Sequence, residues 1–86
     1  MNESVSFPLR VTFYTKAGCH LCEEARDLLE ELATRVSYEL TEIDIRSDPA
    51  LFERYRYRIP VILLNETLIA EGRIYASDLE RAFDIR

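Results

Sequence analysis

The chain's only two cysteines stand two residues apart, in Cys19-His20-Leu21-Cys22, between an apolar strand-like run and a helical pattern. That placement constrains the fold more than any other feature. A strand must deliver the chain to the pair, and a helix must start at it. Free amides at a helix N-terminus and the positive end of the macrodipole stabilise a thiolate, so the first cysteine becomes a nucleophile near neutral pH. The same spacing lets a thiol on the first helical turn reach back and close a disulfide. Two cysteines so spaced, at a strand-to-helix junction, read as a redox dithiol. A permanent staple closing so short a loop would contribute little.

The flanking sequence supplies both elements. Leu9-Arg10-Val11-Thr12-Phe13-Tyr14 alternates, with Leu9, Val11 and Phe13 on one face of a strand. Lys16-Ala17-Gly18 forms a loop, and Gly18 gives backbone freedom just before the first cysteine. A helix is predicted from His20 to Thr34, with Leu21, Ala25, Leu28, Leu29 and Leu32 in one apolar stripe. Glu23, Glu24, Arg26 and Asp27 fall on its solvated side.

Tyr38 to Ile45 is rich in strand formers, but its alternation changes phase between Leu40 and Ile43, which predicts an edge strand or a bulge. Asp48-Pro49 reads as an N-cap with proline at the first helical position, opening a short helix to Tyr55. Pro60 to Leu64 and Thr67 to Ala70 are two strands joined by Asn65-Glu66, with Glu66 where such a turn favours glycine. Ser77-Asp78-Leu79-Glu80 reads as a capping box for a last helix that buries Leu79, Ala82 and Phe83. The order β-α-β-α-β-β-α is that of an α/β domain over residues 9–86, after a short polar leader over 1–8. A right-handed crossover makes the first two strands parallel, and the hairpin completes a four-stranded mixed sheet with helices on both faces.

At 86 residues the chain has room for one domain. A net charge of −5 and a pI near 4.8 argue against nonspecific nucleic-acid or anionic-membrane binding. The longest apolar stretch, Ile59 to Leu64, is far too short to cross a bilayer. The first seven residues lack the positive start and apolar block of a secretory signal, so the expected location is cytoplasmic, where the pair would cycle between dithiol and disulfide.

Tyr14-Thr15-Lys16-Ala17-Gly18-Cys19 running into Cys22, with Arg58-Ile59-Pro60 before a strand and this element order, resembles the glutaredoxin-like branch of the thioredoxin superfamily. The resemblance covers nearly the whole chain after Pro8. It implies a thioredoxin-like fold in which Pro60 is cis and faces the dithiol, and in which the Ile59 backbone pairs with a substrate strand. It places Lys16 at the family's Lys-x-x-Cys position in the glutathione site. Three segments depart from the family pattern. His20 and Leu21 replace the usual Pro-Tyr between the cysteines. Arg58-Ile59-Pro60 replaces Thr-Val-Pro. Ala70-Glu71-Gly72-Arg73 replaces Gly-Gly-x-Asp, with extra residues before Asp78.

The expected activity is thiol–disulfide exchange, with Cys19 as nucleophile and Cys22 as the resolving thiol. Substrates would be protein or small-molecule disulfides. No bound organic cofactor is required; electrons come from glutathione or a protein reductase, and the chain acts as a monomer. The rival reading is a noncatalytic binding module, or a metal or iron–sulfur carrier on the same fold. Against it, Cys19, Cys22 and His20 supply at most three neighbouring ligands, and a closed zinc site wants four.

His20 either tunes Cys19 or is an exposed first-turn residue. The run Arg54-Tyr55-Arg56-Tyr57-Arg58 either frames the groove, with arginines meeting a substrate carboxylate, or is a solvated helix end.

Overall fold

Alternation along the first strand sets the architecture. In the computed structural model, which describes residues 8–85, β1 (Leu9–Thr15) buries Val11 and Phe13 on one face of the sheet and turns Tyr14 to the other. It is followed by α1 (His20–Leu32), β2 (Tyr38–Asp44), a 3-10 turn (Ile45–Ser47) and α2 (Pro49–Tyr55). Then come β3 (Val61–Leu64), β4 (Thr67–Glu71) and α3 (Ala76–Ala82). The leader expected over residues 1–8 lies, except for Pro8, outside the described residues.

The strands form one mixed sheet in the order β2-β1-β3-β4, with β2 parallel to β1 and the other two pairings antiparallel. The α1 crossover makes the β1–β2 pair parallel, as expected. The main core joins Val11 and Phe13 to Ala25, Leu29 and Leu32 of α1, Ile62 of β3 and Leu79 of α3. A smaller core on the opposite face joins Ile45, Tyr55 and Val61, with Tyr14, Leu51, Phe52 and Leu63 packed around them. Each fully buried aliphatic or aromatic side chain contributes roughly 1.5–3 kcal/mol relative to exposure. Helices therefore lie on both faces. Among the described residues no helix is long and apolar enough to cross a membrane.

The β2 phase change marks an edge strand, and its register with β1 runs unbroken from Tyr38 to Asp44. Tyr38 packs on the main core and donates its hydroxyl to the Leu29 carbonyl. Leu40 is 44% exposed, and Ile43 lines the cavity on the α2 side. Each face is only partly covered, so apolar residues appear on both. Among the described residues the one register irregularity falls instead between Ile62 and Leu63, in the β3–β4 pair. Asn65 and Glu66 both take positive φ, 49° and 72°, as a type I′ turn requires. Asn65 Oδ1 accepts the Arg10 N–H at 2.9 Å, which ties the hairpin to β1.

Two helix ends differ from expectation. Helix α1 stops at Leu32, two residues before Thr34, whose hydroxyl donates to the Glu31 carbonyl in the turn that follows. Helix α3 starts at Ala76, with Ser77 inside its first turn. Its cap comes from Asp78, whose Oδ2 accepts the Tyr75 N–H at 2.9 Å, while Glu80 is drawn away to Arg35 at 3.3 Å.

Candidate active site

The chain leaves β1 at Thr15, passes Lys16 and turns at Gly18, whose φ of +80° is a conformation that favours glycine. Cys19 then caps α1 from extended backbone, φ −97° and ψ 107°. Its Sγ accepts the Cys22 N–H at 3.2 Å, and its carbonyl accepts the Glu23 N–H at 3.1 Å. The sulfur thus takes one of the amides that a helix start leaves without a partner. On a thiolate, that hydrogen bond becomes charge-assisted. The two sulfurs stand close to bonding distance, with the Cα atoms 5.2 Å apart, inside the range of a disulfide. The pair is unequal in access. Cys22 is 1% exposed within the main core, whereas Cys19 is only partly covered.

A cavity of about 380 Å³ opens beside the pair, lined among others by Lys16, Cys19, Cys22, Glu23, Arg26 and Asp44. Its charges are largely matched. Arg26 is paired with Glu42 and lies 5.6 Å from the centre of the Phe13 ring. The Asp44 carboxylate accepts from the Arg46 side chain and backbone N–H, and Lys16 adds a weaker attraction. Together these hold its pKa at about 2.

Lys16, Cys19 and Cys22 thus surround one cavity. The Arg58-Ile59-Pro60 segment is placed differently. The Ile59–Pro60 bond is cis and Pro60 is buried. Ile59 packs against both cores, but its N–H donates to the Tyr55 carbonyl at 3.1 Å, so this amide is engaged within the protein. Arg58 pairs with Glu71 at 2.8 Å and lies over the Tyr55 ring. It lines a different cavity, on the α2 face.

His20 is exposed and its Nε2 meets Glu24 Oε2 at 2.9 Å. Among the described residues, no group of three or more His, Cys, Asp and Glu side chains is arranged to hold a metal ion. In the basic–aromatic run Tyr55 is buried, while Tyr57 is 86% exposed with Arg56 over its ring at 4.8 Å.

Arg26, Glu42 and Asp44 were not legible as site residues in the sequence. Glu42 and Asp44 reach the dithiol only through the β1–β2 pairing and the α1 crossover, whereas Arg26 stands one helical turn beyond Cys22 on α1. The available signals were that four-residue spacing and Asp44 at the carboxyl end of a parallel strand, the end where α/β sheets place their sites.

The chain is similar to known proteins in sequence and in fold. A family model described as Glutaredoxin-like domain (DUF836) matches residues 10–84. A glutaredoxin-like protein of Dictyostelium discoideum is 26% identical over 77% of this chain and 67% of its own. An uncharacterized Mycobacterium tuberculosis protein is 30% identical over 65% of this chain, which spans 63% of that relative's length. The solution structure of a Nitrosomonas europaea protein superposes with a TM-score of 0.75 at 30% identity, over 96% of this chain and 98% of that one. A thioredoxin from Halobacterium salinarum gives 0.67 at 20% identity over 88% of this chain and 72% of its own, a likeness of fold. With that fold in place and nearly all of its length matched, the chain belongs to the glutaredoxin-like domain family.

Proposed function

We propose that this chain is a dithiol thiol–disulfide oxidoreductase, reducing protein or small-molecule disulfides in the cytoplasm as a monomer. The observation that carries this reading is the asymmetry of the pair. Cys19 is the helix cap whose sulfur receives an amide, and Cys22 is 1% exposed beside it.

In the reduced protein the Cys19 thiolate attacks one sulfur of a substrate disulfide. A Cys19–substrate S–S bond forms, and the other half of the substrate leaves as a thiolate that takes up a proton. Cys22, deprotonated, then attacks Cys19 Sγ. The Cys19–Cys22 bond forms, the second substrate thiol is released, and two electrons have passed to the substrate. A reductase dithiol, or two molecules of glutathione, returns them.

Lys16 supplies positive charge at the cavity that holds the sulfurs. Ile59 and Pro60 form the ledge for an extended substrate. Because the Ile59 N–H is already donated to Tyr55, pairing with a substrate strand falls to the Ile59 carbonyl. Arg58 is held by Glu71 and is given no part at this mouth. Glutathione should engage more weakly than in an ordinary glutaredoxin. The Gly72 N–H is spent on the Pro60 and Arg58 carbonyls, and Arg73 stands 3.9 Å from Glu24.

Reduction of a protein disulfide, run with glutathione and its reductase and separately with thioredoxin reductase, tests the activity and its electron source. Cys22→Ser should trap a mixed disulfide on Cys19, located by mass spectrometry, and Cys19→Ser should abolish turnover. The alkylation rate of Cys19 should rise with a midpoint below the roughly 8.5 of a free thiol, with Cys22 reacting far more slowly. Equal reactivity of the two thiols would sink the assignment.

A further inference from the structure

The cavity on the α2 face has a volume of about 560 Å³, inside the range of small-molecule sites, and shares no lining residue with the dithiol cavity. Its wall carries a cationic, hydroxyl-bearing part. Arg54 lies 5.9 Å from the centre of the Tyr55 ring, and Tyr55 stacks on Tyr14 with centroids 4.5 Å apart. Among the described residues Arg54 has no ion-pair partner, and neither phenolic hydroxyl has a hydrogen-bond partner. Tyr55 is only 8% exposed, and hydroxyls of residues so covered are ordinarily satisfied.

Burial raises the Tyr14 pKa, with Tyr55 adding to the effect and Arg54 opposing it, so this hydroxyl remains a donor at neutral pH. Arg58, one edge of which is held by Glu71, adds positive charge. The rest of the wall includes Glu66, whose carboxylate is paired with Arg10 at 3.6 Å, and Leu63 and Leu68, directly paired across β3 and β4. Leu68 is 44% exposed, a hydrocarbon surface next to free donors.

We propose that this cavity is a second ligand site, built for a small amphipathic carboxylate whose acid group meets Arg54 and the Tyr14 and Tyr55 hydroxyls while its hydrocarbon lies on Leu63 and Leu68. Two donors and an unpaired guanidinium match the oxygens of one carboxylate. The paired leucines distinguish the site from a patch that attracts any anion, because they reward each methylene removed from water. The site stands independently of the redox reading.

Titration of the full chain with sodium octanoate, followed by backbone-amide NMR, tests it, with acetate and inorganic phosphate as separate arms. Octanoate should give saturable shifts at Thr12, Tyr14, Arg54 and Leu68, and none at Gly18 or Cys22. Acetate and phosphate should bind at least about tenfold more weakly, since neither carries the hydrocarbon. Arg54→Gln and Leu68→Ser, both at exposed positions, should each weaken octanoate about tenfold with an unchanged far-UV spectrum. The site is overturned by phosphate binding as tightly as octanoate, by shifts centred on the dithiol loop, by no saturable shift, or by an Arg54→Gln variant that binds octanoate unchanged.

Discussion

Asp44 illustrates how one residue's chemistry depends on partners that local sequence does not announce. Its carboxylate takes the Arg46 guanidinium and backbone N–H and feels Lys16 across the cavity, so its pKa falls from 3.8 to about 2. The folded value lies below the unfolded one. Its stabilising contribution is therefore present above the ordinary value and is lost as pH falls through about 2. The urea midpoint of the native protein should drop over that window, and the difference between native protein and Asp44→Asn should shrink there. A difference independent of pH would show that the carboxylate's charge plays no part. Cys19 and Cys22 were legible at this scale because helix spacing alone joins them. Asp44 was not, because the strand pairing that brings it to Lys16 is nonlocal.

At the scale of elements, the hairpin turn is the clearest conflict between sequence and backbone. Glu66 holds φ at 72°, where a side chain costs roughly 1–2 kcal/mol that glycine avoids. Glycine gives part of this back through its greater freedom when unfolded. The Arg10–Glu66 contact at 3.6 Å is exposed and offsets little. Glu66→Gly should therefore stabilise the protein by about 0.5–1 kcal/mol in denaturant titrations. Destabilisation would place the weight on the ion pair. Asn65 marked this turn correctly because its side chain tolerates left-handed backbone and reaches Arg10. The start of α3 departs from the sequence pattern for a related reason. Ser77 and Glu80 carry the spacing of a capping box, but Asp78 lies nearer the true start and Arg35 competes for Glu80. Capping motifs compete, and sequence does not rank them.

On the scale of the whole molecule, two cores share one sheet. β1 and β3 contribute to both, and Ile59 packs against each. Neither core can come apart without disturbing strands that hold the other, so unfolding should be a single transition. Methyl signals of Leu29 and Leu32 on one face, and of Leu51 and Val61 on the other, should vanish at the same denaturant concentration. Earlier loss of Leu51 and Val61 would mark α2 as a separately opening unit. The two-faced architecture was legible from β1, where Val11 and Phe13 alternate with Tyr14. The α2-face cavity was not, because its wall draws residues from all four strands and from α2.

The burial of Cys22 next to a half-covered Cys19 has a consequence for chemical damage. Peroxide meeting the Cys19 thiolate transfers one oxygen, giving a sulfenic acid and hydroxide. The Cys22 thiol, already within disulfide reach, condenses with it, forming the S–S bond and releasing water. Oxidation then stops at a state that reductants reverse. Reduced native protein exposed to peroxide should return fully to the dithiol with dithiothreitol, whereas Cys22→Ser should accumulate irreversible sulfinate on Cys19, both read by intact mass. Sulfinate forming equally fast in the native protein would mean that Cys22 does not shield its neighbour. With the shield in place, the buried sulfur keeps the exposed one from wearing out.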